Sequence, residues 1–191
     1  MASTATVTQI ANLALTKLGP GSGYITDLTT DTTVAGQALN RVYEFVRDGV
    51  LEAHPWNFAV KRVELAADVS TPAWGFDYQY SLPADCLRFL SMEGTKVEYQ
   101  LEQDKILCDD AGPLNIRYIS RVTSTSLFSP TFVEALACKW AFEIQGVVEG
   151  RATPGQLWEM YERSLSSAKR ADAQSNQPED MPNGDWLDAR Y

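Results

Sequence analysis

Two blocks of helical periodicity stand at opposite ends of this sequence, and residues of a different period separate them. In the first block Val7, Ile10, Ala11, Ala14 and Leu18 recur at helical spacing and form one apolar stripe. Thr6 and Gln9 have the spacing of a capping box, so the helix starts there. Gly19 is placed for a left-handed cap, and Pro20 prevents continuation. A second stripe, Ala35, Leu39, Val42, Val46 and Val50, follows a cap expected at Thr30 or Asp31 and stops where Pro55 restricts His54. Tyr43 and Phe45 widen its apolar surface.

The second block opens at Ser129–Pro130, a polar cap with proline at the first helical position. Phe132, Val133, Leu136, Ala137, Trp140, Ile144 and Val147 make a stripe too broad for a helix with one buried face, and Gly150 is expected to end it. Thr153–Pro154 with Gln156 repeats the capping-box start, followed by Leu157, Met160, Tyr161, Leu165 and Ala168. None of these stripes can be left facing water, so the two helix pairs are expected to close on each other as one bundle.

Between the blocks the pattern alternates. Strands are expected at Phe58–Leu65, Asp77–Ser81, Leu87–Met92, Lys96–Leu101, Lys105–Cys108 and Leu114–Val122, with turns at Glu102–Asp104 and Ala111–Pro113. Leu82–Pro83–Ala84–Asp85–Cys86 reads as a corner, because proline cannot serve a central strand. The expected fold class is therefore α+β: a helical bundle from N- and C-terminal helix pairs, a central small antiparallel β section forming one sheet, and an extended C-terminal tail. The corresponding divisions are 1–57 with 127–173 for the bundle, 58–126 for the β section and 174–191 for the tail.

Charge and composition restrict function. Sixteen Lys and Arg against 25 Asp and Glu give a formal charge of −9, which disfavours holding nucleic acid through its phosphates. No apolar run approaches the roughly 20 residues a membrane helix needs, and the first eight residues do not read as a signal peptide, so a cytoplasm-like compartment is expected. Three widely spaced cysteines, Cys86, Cys108 and Cys138, argue for reduced thiols rather than a disulfide framework or a zinc site. His54 is the single histidine and has no nucleophile motif to serve, so it is expected to be a helix-end residue. The glycines from Gly19 to Gly23 follow a helix, and no strand precedes them as a phosphate loop requires. The acidic pairs Asp109–Asp110 and Glu179–Asp180 read as solvated surface. No catalytic residue, cofactor or metal is expected.

The segment from Gln174 to Gly184 has the composition of a linker, yet it leads to Trp186, Leu187 and Tyr191. Such a tail either folds back on its own domain or docks on a neighbouring subunit or partner, and docking is expected. The Trp56–Asn57–Phe58 segment is expected to be a buried hinge between helices and sheet.

The order of several short motifs resembles a known family. These are Ile10–Ala11–Asn12–Leu13–Ala14–Leu15, Leu18–Gly19, Ile25–Thr26–Asp27–Leu28, Val46–Arg47–Asp48, Val50–Leu51, His54–Pro55–Trp56–Asn57–Phe58–Ala59, Tyr80–Ser81–Leu82–Pro83–Ala84–Asp85–Cys86–Leu87–Arg88 and Trp186–Leu187–Asp188–Ala189–Arg190. In this order and spacing they are similar to the head-to-tail adaptors of tailed phages, the tail tubular protein A family. The resemblance implies a virion protein of the head-tail junction, forming a homo-oligomeric, dodecameric ring beneath the portal protein. It further implies that DNA passes through without specific binding and that the ring is a platform for tail nozzle or fibre proteins. Portal docking would then fall to Trp186, Leu187, Arg190 and Tyr191. The alternatives are a neck or tail-terminator ring protein of a longer tail and, in another class, a virion-associated cell-wall hydrolase.

Overall fold

The computed structural model describes residues 4–21, 23–93, 98–148 and 150–175. Four helices, α1 (Val7–Leu18), α2 (Val34–Glu52), α3 (Pro130–Ile144) and α4 (Pro154–Ala173), flank six strands. The strands are β1 (Val60–Leu65), β2 (Tyr78–Ser81), β3 (Cys86–Met92), β4 (Tyr99–Glu102), β5 (Lys105–Cys108) and β6 (Leu114–Ser120). The chain is thus a mixed α+β protein.

Helix starts follow local chemistry. Both capping boxes form, with Thr6 on Gln9 and Thr153 on Gln156, and the Ser129 hydroxyl accepts from the Phe132 amide at 3.2 Å. The cap of α2 differs from expectation. It is Thr33, whose hydroxyl accepts from the Gly36 amide at 3.1 Å, while Asp31 lies just outside the helix and accepts from the Thr33 amide at 2.8 Å. The carboxylate therefore orients the capping residue instead of capping the helix itself.

Gly19 closes α1 at φ 96° and ψ −171°, a backbone region essentially reserved for glycine and not the left-handed helical cap expected. The Leu18 carbonyl is satisfied from far along the chain, by the Arg151 and Ala152 amides at 2.9 and 3.1 Å. The end of α3 also differs from expectation. The helix stops at Ile144, whose carbonyl accepts from the amides of Val147 and Val148, and Val147 is left exposed. Gly150 does not terminate a helix. It lets the chain press against Leu18, where a β-carbon would come within 2.7 Å of the Leu18 carbonyl oxygen.

α3 packs against α1, α2 and α4, which accounts for its broad stripe: nine of its residues are buried. Residues of all four helices share one apolar core with Trp56, Ile119 and Val122. Trp140 donates its indole N–H to the Leu39 carbonyl at 3.1 Å and packs against Tyr43.

The β section is two three-stranded antiparallel sheets and not one: β1-β6-β3 and β2-β5-β4. A second core lies between them, made of Tyr80, Ile106 and Cys108 from one sheet and Leu114, Ile116 and Tyr118 from the other. Folding into two layers buries one face of each sheet against the other. The Pro83 corner separates β2 from β3, and a Cys86 amide to Pro83 carbonyl bond of 2.8 Å closes it. Strand β4 starts at Tyr99, later than expected. Lys96 and Val97 lie outside the described residues.

Candidate functional site

The motif His54–Asn57 forms the junction between helices and sheets. Trp56 is wholly buried, donates its indole N–H to the Val50 carbonyl at 2.9 Å and meets Phe132 edge-on at 5.1 Å. Val50 lies in the last turn of α2, where carbonyls lose their helical donors, so the indole serves as a cap. The expected burial holds for Trp56, which is not available to a partner, whereas Asn57 is exposed and Phe58 half-buried.

The same junction fixes the end of α4. The Asp172 carboxylate accepts from the Asn57 amide at 3.2 Å, and the Asp172 carbonyl accepts from the Asn57 side-chain amide at 2.8 Å. His54 Nε2 lies 3.4 Å from the same carboxylate. Burial pushes the His54 imidazole below its usual range, outweighing the opposing pull of Asp172; Lys169 and Arg88 act in the same direction as burial. His54 also packs edge-on against Trp56 at 4.8 Å. The arrangement resembles a His–Asp catalytic pair, yet its other neighbours are structural: it clamps the last turn of α4.

The other chemical candidates are equally committed. Asp109 accepts from the Asp77 amide at 3.0 Å and Asp110 from the Gly112 amide at 3.1 Å, so this pair organises turns. Cys86, Cys108 and Cys138 are free, and burial raises each thiol above its usual range. Among the described residues no cluster of His, Cys, Asp and Glu could hold a metal ion, and no helix is long and apolar enough to cross a membrane.

Exposed apolar side chains are what remains. Phe45 on α2 and Trp74 in the β1–β2 connection are 81% and 87% exposed. Tyr24 and Val34 lie toward the α1–α2 end and are also exposed. Val34, Ala38, Arg41 and Phe45 recur at helical spacing on α2, and of these Phe45 is the one expected from the sequence to widen the apolar surface. On α3 and α4, Lys139 Nζ lies 5.2 Å from the Phe142 and Trp158 ring centres and 5.5 Å from that of Tyr161. This box stays partly open, with Trp158 at 40% exposure. Exposed Trp, Tyr and Arg are the side chains that most often anchor protein interfaces.

The residues expected to dock the portal, Trp186, Leu187, Arg190 and Tyr191, lie outside the described residues, as does the Glu179–Asp180 pair. The structure places only the root of that segment, at Asp172 beside Asn57. No protein-family model matches the chain, and no curated protein matches it.

Proposed function

We propose that this chain is a non-enzymatic structural subunit of a phage head-to-tail connector. It would form a homo-oligomeric ring beneath the portal protein and carry tail nozzle or fibre proteins below. The observation that carries the reading is the distribution of exposed aromatics. A chain with two buried apolar cores still presents Phe45, Trp74 and Trp158 on separate elements, where each is an aromatic side chain of the kind that anchors an interface with a neighbour. In this reading the four helices act as one bundle, and residues 174–191 are an extended tail whose Trp186, Leu187, Arg190 and Tyr191 seat on the portal. The charge of −9 supports a channel that DNA traverses without adhering, since carboxylates facing the lumen repel phosphates.

The test is native mass spectrometry of the full chain alone and with the portal ring of the same virus, repeated with Trp186→Ala/Tyr191→Ala. Loading of the full chain onto the portal as a ring, weakened by the double substitution, supports the connector and the docking role of the tail. No loading of either form overturns the connector assignment and leaves the neck-protein alternative. Equal loading of both forms keeps the connector and removes the tail's role.

A further inference from the structure

The two edges of the β2-β5-β4 sheet are finished differently. Along β2 the edge is covered by Asp68. Its amide donates to the Gln79 carbonyl at 2.9 Å, and its carboxylate accepts from the Ser81 amide at 3.3 Å and from Lys105 Nζ at 2.6 Å. β4 lies at the opposite edge. Glu102 and Lys105 flank a two-residue loop and so form a hydrogen-bonded pair. Alternation then leaves Tyr99 and Leu101 with N–H and C=O directed away from β5. Among the described residues no backbone group pairs with them on that side.

The side chains of that edge are as open as its backbone. Tyr99 and Leu101 stand opposite Cys108 and Ile106 of the second core, so they share its face of the sheet, yet both are exposed. Phe89 of β3 meets Tyr99 edge-on at 5.5 Å, and Leu101 and Phe89 line one cleft of about 470 Å³. The space between the two sheets is thus unsealed at β4, and one more strand there would set alternate side chains into it. Glu98, Gln100 and Glu102 belong to the other face. Lys105 opposes Glu102 in register but gives its ammonium to Asp68. Trp74, Gln100 and Glu102 line one groove of about 360 Å³, where a cation meets an indole as well as a carboxylate.

We propose that β4 is a docking edge for an extended segment of another protein, which adds to the β2-β5-β4 sheet as a fourth strand. Main-chain hydrogen bonds to Tyr99 and Leu101 supply the attachment, and alternate side chains supply the selection. The segment carries apolar residues facing Tyr99 and Leu101, with Lys or Arg between them on the face of Glu98 and Glu102. A second copy of β4 does not fit. In the fully overlapping antiparallel register, Tyr99 meets the second copy's Leu101, and Glu98 meets its Glu102 at both ends. Like charges directly opposite on neighbouring strands repel. Short, charged edges are the usual protection against pairing between identical chains, and the same carboxylates attract a basic strand. The proposal does not rest on the connector reading, since edge and charges belong to the single chain.

The experiment adds a short end-capped peptide alternating valine with lysine to the full-length ¹⁵N-labelled protein and follows amide hydrogen exchange by NMR. Docking predicts that exchange at Tyr99 and Leu101 slows by about tenfold or more, because these are the amides that gain partners. A valine–glutamate peptide should bind about tenfold more weakly, since it sets like charges opposite Glu98 and Glu102. Glu98→Lys/Glu102→Lys should reverse that preference. The valine–lysine peptide methylated on the backbone nitrogens that would face β4 should give no protection. Unchanged exchange at Tyr99 and Leu101 with millimolar valine–lysine peptide overturns the proposal, as does protection confined to the edges of the other sheet. Equal protection by both peptides overturns the basic partner. Protection that rises with protein concentration and needs no peptide assigns the edge to a second copy and overturns docking of another protein.

Discussion

Replacing Trp56 by phenylalanine tests whether the helix–sheet junction is held by one hydrogen bond in a dry place. The indole N–H is the donor to the Val50 carbonyl, and Trp56 is fully buried, so phenylalanine leaves that oxygen without the indole and without access to water. An orphaned buried acceptor costs about 1–3 kcal/mol. The smaller ring also removes about 40 Å³ of packed volume, which at ~24 cal/mol per Å³ adds about 1 kcal/mol. The edge-on contact with Phe132 survives in part, because phenylalanine keeps a six-membered ring. The expected loss is about 2–4 kcal/mol, or about 5–15 °C in Tm for a chain of this size. Trp74→Phe, at an 87% exposed position, is the control and should stay within about 0.5 kcal/mol. Thermal and urea unfolding followed by circular dichroism would measure both. A Trp56→Phe loss below about 1 kcal/mol, the low end for an orphaned acceptor, or one no larger than that of Trp74→Phe, refutes the capping role of the indole.

Two further outcomes follow from the same structure. Gly150→Ala drives a β-carbon to 2.7 Å from the Leu18 carbonyl and 2.9 Å from Leu18 Cβ, and neither can retreat without moving the end of α1. It should cost about 1–3 kcal/mol in urea unfolding, whereas Gly155→Ala, with open space around it, should cost far less. His54, the single histidine, gives an isolated titration signal that should have its midpoint below the ordinary value of 6.5. Because its folded pKa is depressed, the stability linked to it is present above pH 6.5 and is lost as pH falls through the folded value. His54→Gln should flatten that part of the stability profile, and a midpoint above 6.5 by NMR would show that Asp172, not burial, dominates.

What the sequence determined by itself was local. Thr6, Ser129 and Thr153 announce their helices because a cap hydroxyl and its amide partner lie within three residues of each other. The alternating runs likewise placed the strands, since side-chain period is a property of one strand alone. The over-wide stripe of α3 announced a helix packed on several sides for the same reason. Tertiary structure decided whatever joins distant residues. Leu18 is capped by Arg151 and Ala152, which lie far along the chain from it. Asn57 holds Asp172 across 115 residues, and nothing near either residue in sequence signals the partner. The split into two sheets and the facing of Arg62 by Arg117 depend on pairing between strands distant in sequence. Register follows from which faces find a layer to bury them, a choice made by the whole core at once and by no single segment.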